Sequence, residues 1–379
     1  MRNPMFEFDE AMTDLVFAYC RQRLALDPVE LDVGGVFPVE LADRLAGVIS
    51  PDGNDAEGIL QLFAEVLAPA VISVDSPRYL SFIPAAPTKA SLLFDMVVSC
   101  SSLNGTSWLE AAGAVAAENQ VLRFLADRAG LPPSAGGCFV SGGSLGNLSA
   151  LVVATAGTTN AGIIDDLDGV GRVAEERSLW FHVDAAYGGA GLLSSEVRPR
   201  FAGIERADSF IVDPHKWLFA PFDSCALLYR NPSLAKAVHA HHAGYLDVIE
   251  SEEWNPSDYS IHLSRRARGM PLWFSLAVNG SDAYGEAVTR AVTTADRCAT
   301  RSEALDHLEL LRRPELSIVL FRRRGWGADD YRRWTAELLV DQVAFVTMTV
   351  WEGAPAARFA ILHPDTDLAM LDEILATLA

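Results

Sequence analysis

The sequence predicts an α/β fold: a large domain on a mixed, mostly parallel sheet, preceded by a helical arm and followed by a small α+β domain. Three stretches carry that prediction. Cys138-Phe139-Val140 runs into Ser141-Gly142-Gly143-Ser144-Leu145-Gly146-Asn147-Leu148, which reads as strand, glycine turn and helix start. Leu179-Trp180-Phe181-His182-Val183-Asp184 is an apolar strand closed by a carboxylate and followed by Ala185-Ala186-Tyr187-Gly188-Gly189. Ser209-Phe210-Ile211-Val212 is another, closed by Asp213-Pro214-His215-Lys216-Trp217. Open α/β sheets gather ligand contacts at the carboxyl ends of their strands, so the polar residues that end each run are candidate site residues.

Each stretch has its own chemistry. A lysine just past a buried strand, with a proline nearby, is held at a defined place on the sheet edge. Such an amine attacks an aldehyde when neutral, and burial plus a neighbouring cation such as His215 would favour that state. A carboxylate at Asp184 suits the protonated ring nitrogen of pyridoxal phosphate, and the small Ala186 would let a flat ring lie against the protein. Glycines let backbone approach an anion, and a helix start offers free N–H groups to a phosphate, with Ser144 adding a hydroxyl. Read alone, Gly142-Gly143-Ser144-Leu145-Gly146 also fits the nucleophile elbow of serine hydrolases or a plain helix cap.

The ordered set of phosphate turn, carboxylate and lysine resembles the group II pyridoxal-phosphate-dependent amino-acid decarboxylases, which include the aromatic-amino-acid and glutamate decarboxylases. The runs His182–Gly189 and Asp213–Trp217 are its specific motifs. The likeness extends through Ser107-Trp108-Leu109-Glu110, Glu118-Asn119-Gln120, Ala156-Gly157-Thr158-Thr159 and Ile361-Leu362-His363-Pro364. It implies a large domain of the aspartate aminotransferase type, with pyridoxal 5'-phosphate carried on Lys216 and Asp184 at its ring nitrogen. Gly143, Ser144 and His215 would anchor the phosphate, with Ala186, Asp213 and Thr158 as further cofactor contacts. Tyr245 falls where the family has a mobile-loop proton donor; a phenylalanine there would suggest the aldehyde-forming relatives. Phe82, Ile83 and Pro84 fall where the family lines the substrate side-chain pocket, often from the neighbouring subunit of a homodimer. Their character suits an aromatic or apolar L-amino acid, decarboxylated to the amine and CO2.

Composition sets bounds. The chain has 379 residues, half of them hydrophobic, enough for a large core. A net charge of −20 repels phosphate backbones and argues against a nucleic-acid partner, despite Arg265-Arg266-Ala267-Arg268. Five scattered cysteines without a CxxC pair read as reduced thiols of a cytoplasmic protein. No apolar run is long enough to cross a bilayer, and the acidic N-terminus lacks the apolar region of a signal peptide. His239, His241 and His242 share one loop without a fourth ligand, so no metal site is assigned.

Along the chain, residues 1–75 form the helical arm, 76–275 the large domain and 276–379 the small one. The arm shows helical periodicity broken by Pro28, Pro38 and Pro51. A long Ala-rich helix spans 107–129 and stops before Gly130 and Pro132-Pro133. The acidic turn 162–168 caps a helix from Val170 to Arg177. Cys225–Tyr229, Ser317–Phe321 and Val343–Thr347 read as strands, and 328–339 and 366–378 as helices.

One place departs from the family. After Asn147-Leu148-Ser149-Ala150-Leu151 the helix runs straight into the strand Val152-Val153-Ala154-Thr155, although one βαβ unit takes about 30 residues or more. In relatives the intervening segment carries a histidine or other flat side chain that stacks on the cofactor ring; here no histidine lies between the glycine turn and His182, and that residue is left unassigned. Two competing readings follow: a degenerate relative with impaired cofactor binding, and a serine hydrolase using Ser144.

Overall fold

The computed structural model describes residues 8–31, 38–49, 53–83, 86–143, 152–239 and 254–379. Its larger sheet holds β1 (Gly136–Val140), β2 (Val152–Thr155), β3 (Phe181–Asp184), β4 (Ser209–Val212) and β5 (Cys225–Tyr229), in the order β1-β5-β4-β3-β2. β2, β3 and β4 pair in parallel, while β5 runs antiparallel to both β1 and β4. Only β5 therefore opposes the common direction, as a mixed, mostly parallel sheet requires.

Side chains alternate across a strand, so each strand serves two faces. Phe139, Phe181, Val183, Phe210, Val212 and Leu228 enter the main core. Cys138, Val140, Ala186, Ile211, Cys225, Leu227 and Tyr229 pack together on the other face. Burial on both faces explains why these strands read as nearly unbroken apolar runs. By the same alternation His182 and Asp184 share a face of β3, and Ser209, Ile211 and Asp213 share a face of β4 and its exit.

Helices begin where the side-chain caps predict. Ser107 caps Trp108–Arg128 by accepting from the Glu110 N–H, and Asp166 caps Leu167–Glu176 by accepting from the Gly169 N–H. The arm contains Glu10–Leu24, Pro38–Leu45 and Ala56–Leu62.

A second, antiparallel sheet has the order β6-β7-β9-β8, from β6 (Leu308–Arg312), β7 (Ile318–Arg323), β8 (Thr347–Trp351) and β9 (Ala354–Ala360). The strand expected over Val343–Thr347 starts instead at Thr347. The N–H groups of Val343 and Ala344 turn back to the Leu338 carbonyl to close helix Ala328–Val340, leaving Phe345 a single bridge to Tyr79. Glu352 and Gly353, both at positive φ (50° and 76°), make the tight turn between β8 and β9.

Among the described residues, no helix is long and apolar enough to cross a membrane, and no cluster of His, Cys, Asp and Glu could hold a metal ion. The five cysteines are free thiols: Cys138, Cys225 and Cys298 are buried, whereas Cys100 is exposed.

Candidate active site

The exits of β3 and β4 are tied together. The Asp213 N–H donates to the Ala186 carbonyl (3.0 Å), and the Lys216 N–H to the Asp213 carbonyl (3.0 Å), which closes a turn that points the lysine back at its own strand. Lys216 Nζ lies 2.9 Å from Asp213 Oδ2; the Asp213 side chain is 1% exposed and that of Lys216 24%. The other Asp213 oxygen, Oδ1, is buried with no hydrogen-bond partner among the described residues. Trp217 anchors the turn from below, fully buried and stacked on Tyr187 with ring centroids 5.2 Å apart.

His215 packs against Phe222, with Nε2 3.7 Å from Asp213 Oδ2 and Nδ1 against the backbone of Ser224. Burial lowers its pKa, outweighing the attraction of Asp213. The imidazole is neutral at pH 7, which corrects the expectation of a cation beside Lys216. The charge that faces the lysine is the carboxylate of Asp213.

Asp184 ends β3 half-buried, with Oδ1 accepting the Ala186 N–H at 3.1 Å. The glycine turn reaches the same place from β1. A Cβ added to Gly143 would stand 3.1 Å from Ile211, 3.2 Å from Ala186 and 3.4 Å from Asp213 Oδ2. Gly142 faces His215 at 4.0 Å by the same measure. Gly143, Ala186, Asp213, His215 and Lys216 thus converge from three separate stretches of sequence, with Asp184 at the same sheet edge.

Thr158 lies near the β3 exit, where Gly157 packs against Gly188 so closely that a Cβ would come within 2.8 Å of its Cα. The Thr158 hydroxyl accepts the Ile163 N–H (3.1 Å), a local turn contact. Phe82 is 58% exposed, at φ 51°, and Ile83 packs on the main core. Ser144, Tyr245, Pro84, His241 and His242 lie outside the described residues.

Sequence reasoning missed Arg358 of β9. It is 6% exposed, donates from Nη2 to the Phe82 carbonyl, and keeps a buried Nε without a partner among the described residues. Burial lowers its pKa, although Tyr187 counters in part. Its signal was a lone charge inside Ala356-Ala357-Arg358-Phe359-Ala360-Ile361-Leu362, where a buried guanidinium needs a reason.

These residues fit pyridoxal phosphate. A primary amine, a strand-end carboxylate and a glycine whose missing Cβ leaves room beside Ala186 and Asp213 are the groups its aldehyde, ring nitrogen and phosphate require. A cleft of about 1020 Å³ lies elsewhere, between Arg128–Gly130, residues 192–205 and helix Ser281–Glu303, and holds none of them.

Residues 146–324 match the family model described as the pyridoxal-dependent decarboxylase conserved domain. An aromatic-L-amino-acid decarboxylase of Bacillus atrophaeus is 26% identical over 358 residues, 74% of this chain and 75% of that protein. An L-2,4-diaminobutyrate decarboxylase of Rhizobium meliloti is 27% identical over 402 residues, 84% of this chain and 81% of the relative. That alignment is longer than the whole chain, so the relative contains residues that have no counterpart here. In fold, the crystal structure of Oryza sativa TDC with PLP and tryptamine superposes with a TM-score of 0.89 over 100% of this chain and 99% of that one, at 20% identity. The motifs at the exits of β3 and β4 lie within the stretch that matches the pyridoxal-dependent decarboxylase family model, and the chain is similar to these decarboxylases in sequence and in fold.

Proposed function

We propose that the chain decarboxylates an aromatic or apolar L-amino acid to its amine and CO2, as a cytoplasmic homodimer. The observation that carries this reading is Lys216, held by Asp213 at the sheet edge where Asp184 and Gly143 also arrive. When bound, pyridoxal phosphate supplies the electron sink for the pair released as CO2 leaves. The chain's own groups do the rest. Lys216 would hold the cofactor through its Nζ. Asp184 would face the ring nitrogen and favour its protonated form. Gly143, Ser144 and His215 bind the phosphate, with His215 acting as a neutral donor. Tyr245 delivers a proton to the α-carbon.

The apolar character of Phe82 and Ile83 supports an apolar side chain in the substrate. A second reading, a substrate with an acidic side chain, is favoured by Arg358, because a buried guanidinium without a carboxylate partner among the described residues binds an anion better than a ring. Exposed Phe82, Leu93, Val97, Leu109, Phe222 and Ile261 support a covered interface between two copies.

The test combines a spectrum with a product assay. Added pyridoxal phosphate should give a visible band that borohydride converts into a stable mass adduct on Lys216. CO2 release is then compared between aromatic, aliphatic and acidic amino acids. No band and no adduct would overturn the cofactor assignment, and release from acidic substrates alone would overturn the apolar one.

A further inference from the structure

We propose that Arg268 is a positioning residue for the phosphate contact, acting through His215: it clamps Asp223 and Ser224, and the backbone of Ser224 holds the imidazole. The inference rests on the reading of His215 as a phosphate contact.

Each link is a direct contact. His215 Nδ1 lies 2.7 Å from the Ser224 carbonyl oxygen and 3.0 Å from the Ser224 backbone nitrogen, so the ring is fixed to one residue of the loop that precedes β5. With Nδ1 turned to that loop, Nε2 is the nitrogen that faces the site, 3.7 Å from Asp213 Oδ2. Arg268 ties the same loop twice. Its carbonyl accepts from Ser224 Oγ at 3.0 Å, and its Nε donates to Asp223 Oδ1 at 3.2 Å. The platform under the clamp is rigid: the next residue, Gly269, donates its N–H to the buried carboxylate of Glu118 at 2.7 Å, and helix Met270–Asn279 starts there. A loop tied to this platform holds the imidazole in one place, which a phosphate contact requires.

Stability gives little reason for the arginine. The Arg268 and Asp223 side chains are 16% and 44% exposed, and ion pairs open to solvent add little to folding. The guanidinium meanwhile buries Nη1 without a partner among the described residues, which costs free energy. What the clamp provides is geometry. It joins the start of helix Met270–Asn279 to a loop more than 40 positions earlier in the chain, at the residue that carries His215.

The test is an absorbance titration of the chain with pyridoxal phosphate and, in parallel, with pyridoxal, which lacks the phosphate. Arg268→Met keeps the aliphatic stem and removes the guanidinium. It should weaken pyridoxal phosphate binding about tenfold, the weight of one hydrogen bond to a charged group, and change pyridoxal binding by less than about twofold. In a His215→Gln background the same substitution should add no further loss, because the two residues act as one unit. Asp223→Asn, which keeps an acceptor for Nε, should lose less than Asp223→Ala. Ser224→Ala, which removes the other tie, should show the same selective loss and serves if Arg268→Met fails to fold. Equal losses for the two ligands, or a loss that adds in full to that of His215→Gln, overturns the clamp and leaves the role of His215 standing. Unchanged pyridoxal phosphate affinity in His215→Gln overturns that role and the clamp with it.

Discussion

Lys216 Nζ lies 2.9 Å from Oδ2 of Asp213, three residues earlier, and the carboxylate is the more deeply buried partner. Removing the lysine therefore does more than remove an amine. It leaves a carboxylate at 1% exposure facing a neutral imidazole 3.7 Å away. Breaking a buried pair from one side costs about 3 kcal/mol or more. Lys216→Ala should lose about that much stability in urea titrations without cofactor, and Lys216→Ala with Asp213→Asn should regain more than half. Equal stability of the two variants would show that Asp213 is not charged when alone.

Gly143 tests the cofactor cradle. A Cβ there falls 3.1–3.4 Å from Ile211, Ala186 and Asp213, a distance those neighbours meet by giving a few tenths of an ångström. The space a cofactor would share is lost, while the fold is hardly strained. Gly143→Ala should weaken pyridoxal phosphate binding at least tenfold, about 1.4 kcal/mol. Its stability should change by less than about 1 kcal/mol. Spectroscopic titration and urea unfolding separate the two effects, and unchanged affinity would remove Gly143 from the site.

The site was legible in the sequence where short strands end in polar residues, because strand ends are local features. Asp184, Asp213 and Lys216 each follow an apolar run, and the structure brings these ends to one sheet edge. Arg358 was not legible as a site residue. It reaches Phe82 by a contact that spans 276 positions, and no local pattern encodes such a distance. β9 escaped for a different reason: Ala354-Pro355-Ala356-Ala357 has little strand propensity, and pairing with both β7 and β8 holds it extended. The neutral state of His215 was also hidden, since burial, which only the fold supplies, sets it.

Glu118, inside one of the resemblance motifs, is bonded structurally. Its Oε1 accepts from Arg265 Nη2 (3.0 Å) and from the Gly269 N–H (2.7 Å), and Arg265 also donates to the Gly105 carbonyl (2.6 Å). The two side chains are 2% and 0% exposed. Glu118→Ala should cost about 3–5 kcal/mol by leaving the guanidinium buried and uncompensated. Glu118→Leu with Arg265→Met should recover much of that loss, because desolvating the native pair offsets most of its attraction. Urea unfolding of the three variants decides; a double variant no better than Glu118→Ala would mean that the Gly105 and Gly269 bonds dominate.

Acid should destabilise the fold through its histidines. Burial pushes His182 down to about 4 from an ordinary value of 6.5, and lowers His215, His262 and His363 in the same direction. Between those limits the unfolded chain holds a proton on His182 that the folded chain refuses, so protonation favours unfolding and stability rises with pH. The contribution is complete above about pH 6.5 and is lost progressively as pH falls towards 4, with an upper bound of about 3 kcal/mol from this residue. His182→Gln removes the titrating group, so its stability should fall less steeply than that of the wild type between pH 6.5 and 4.5. Denaturant unfolding at pH 7.5, 6.0 and 5.0 provides the comparison. Parallel curves for the two proteins would mean that His182 takes up its proton in the folded state, and that the imidazole is not held neutral by burial.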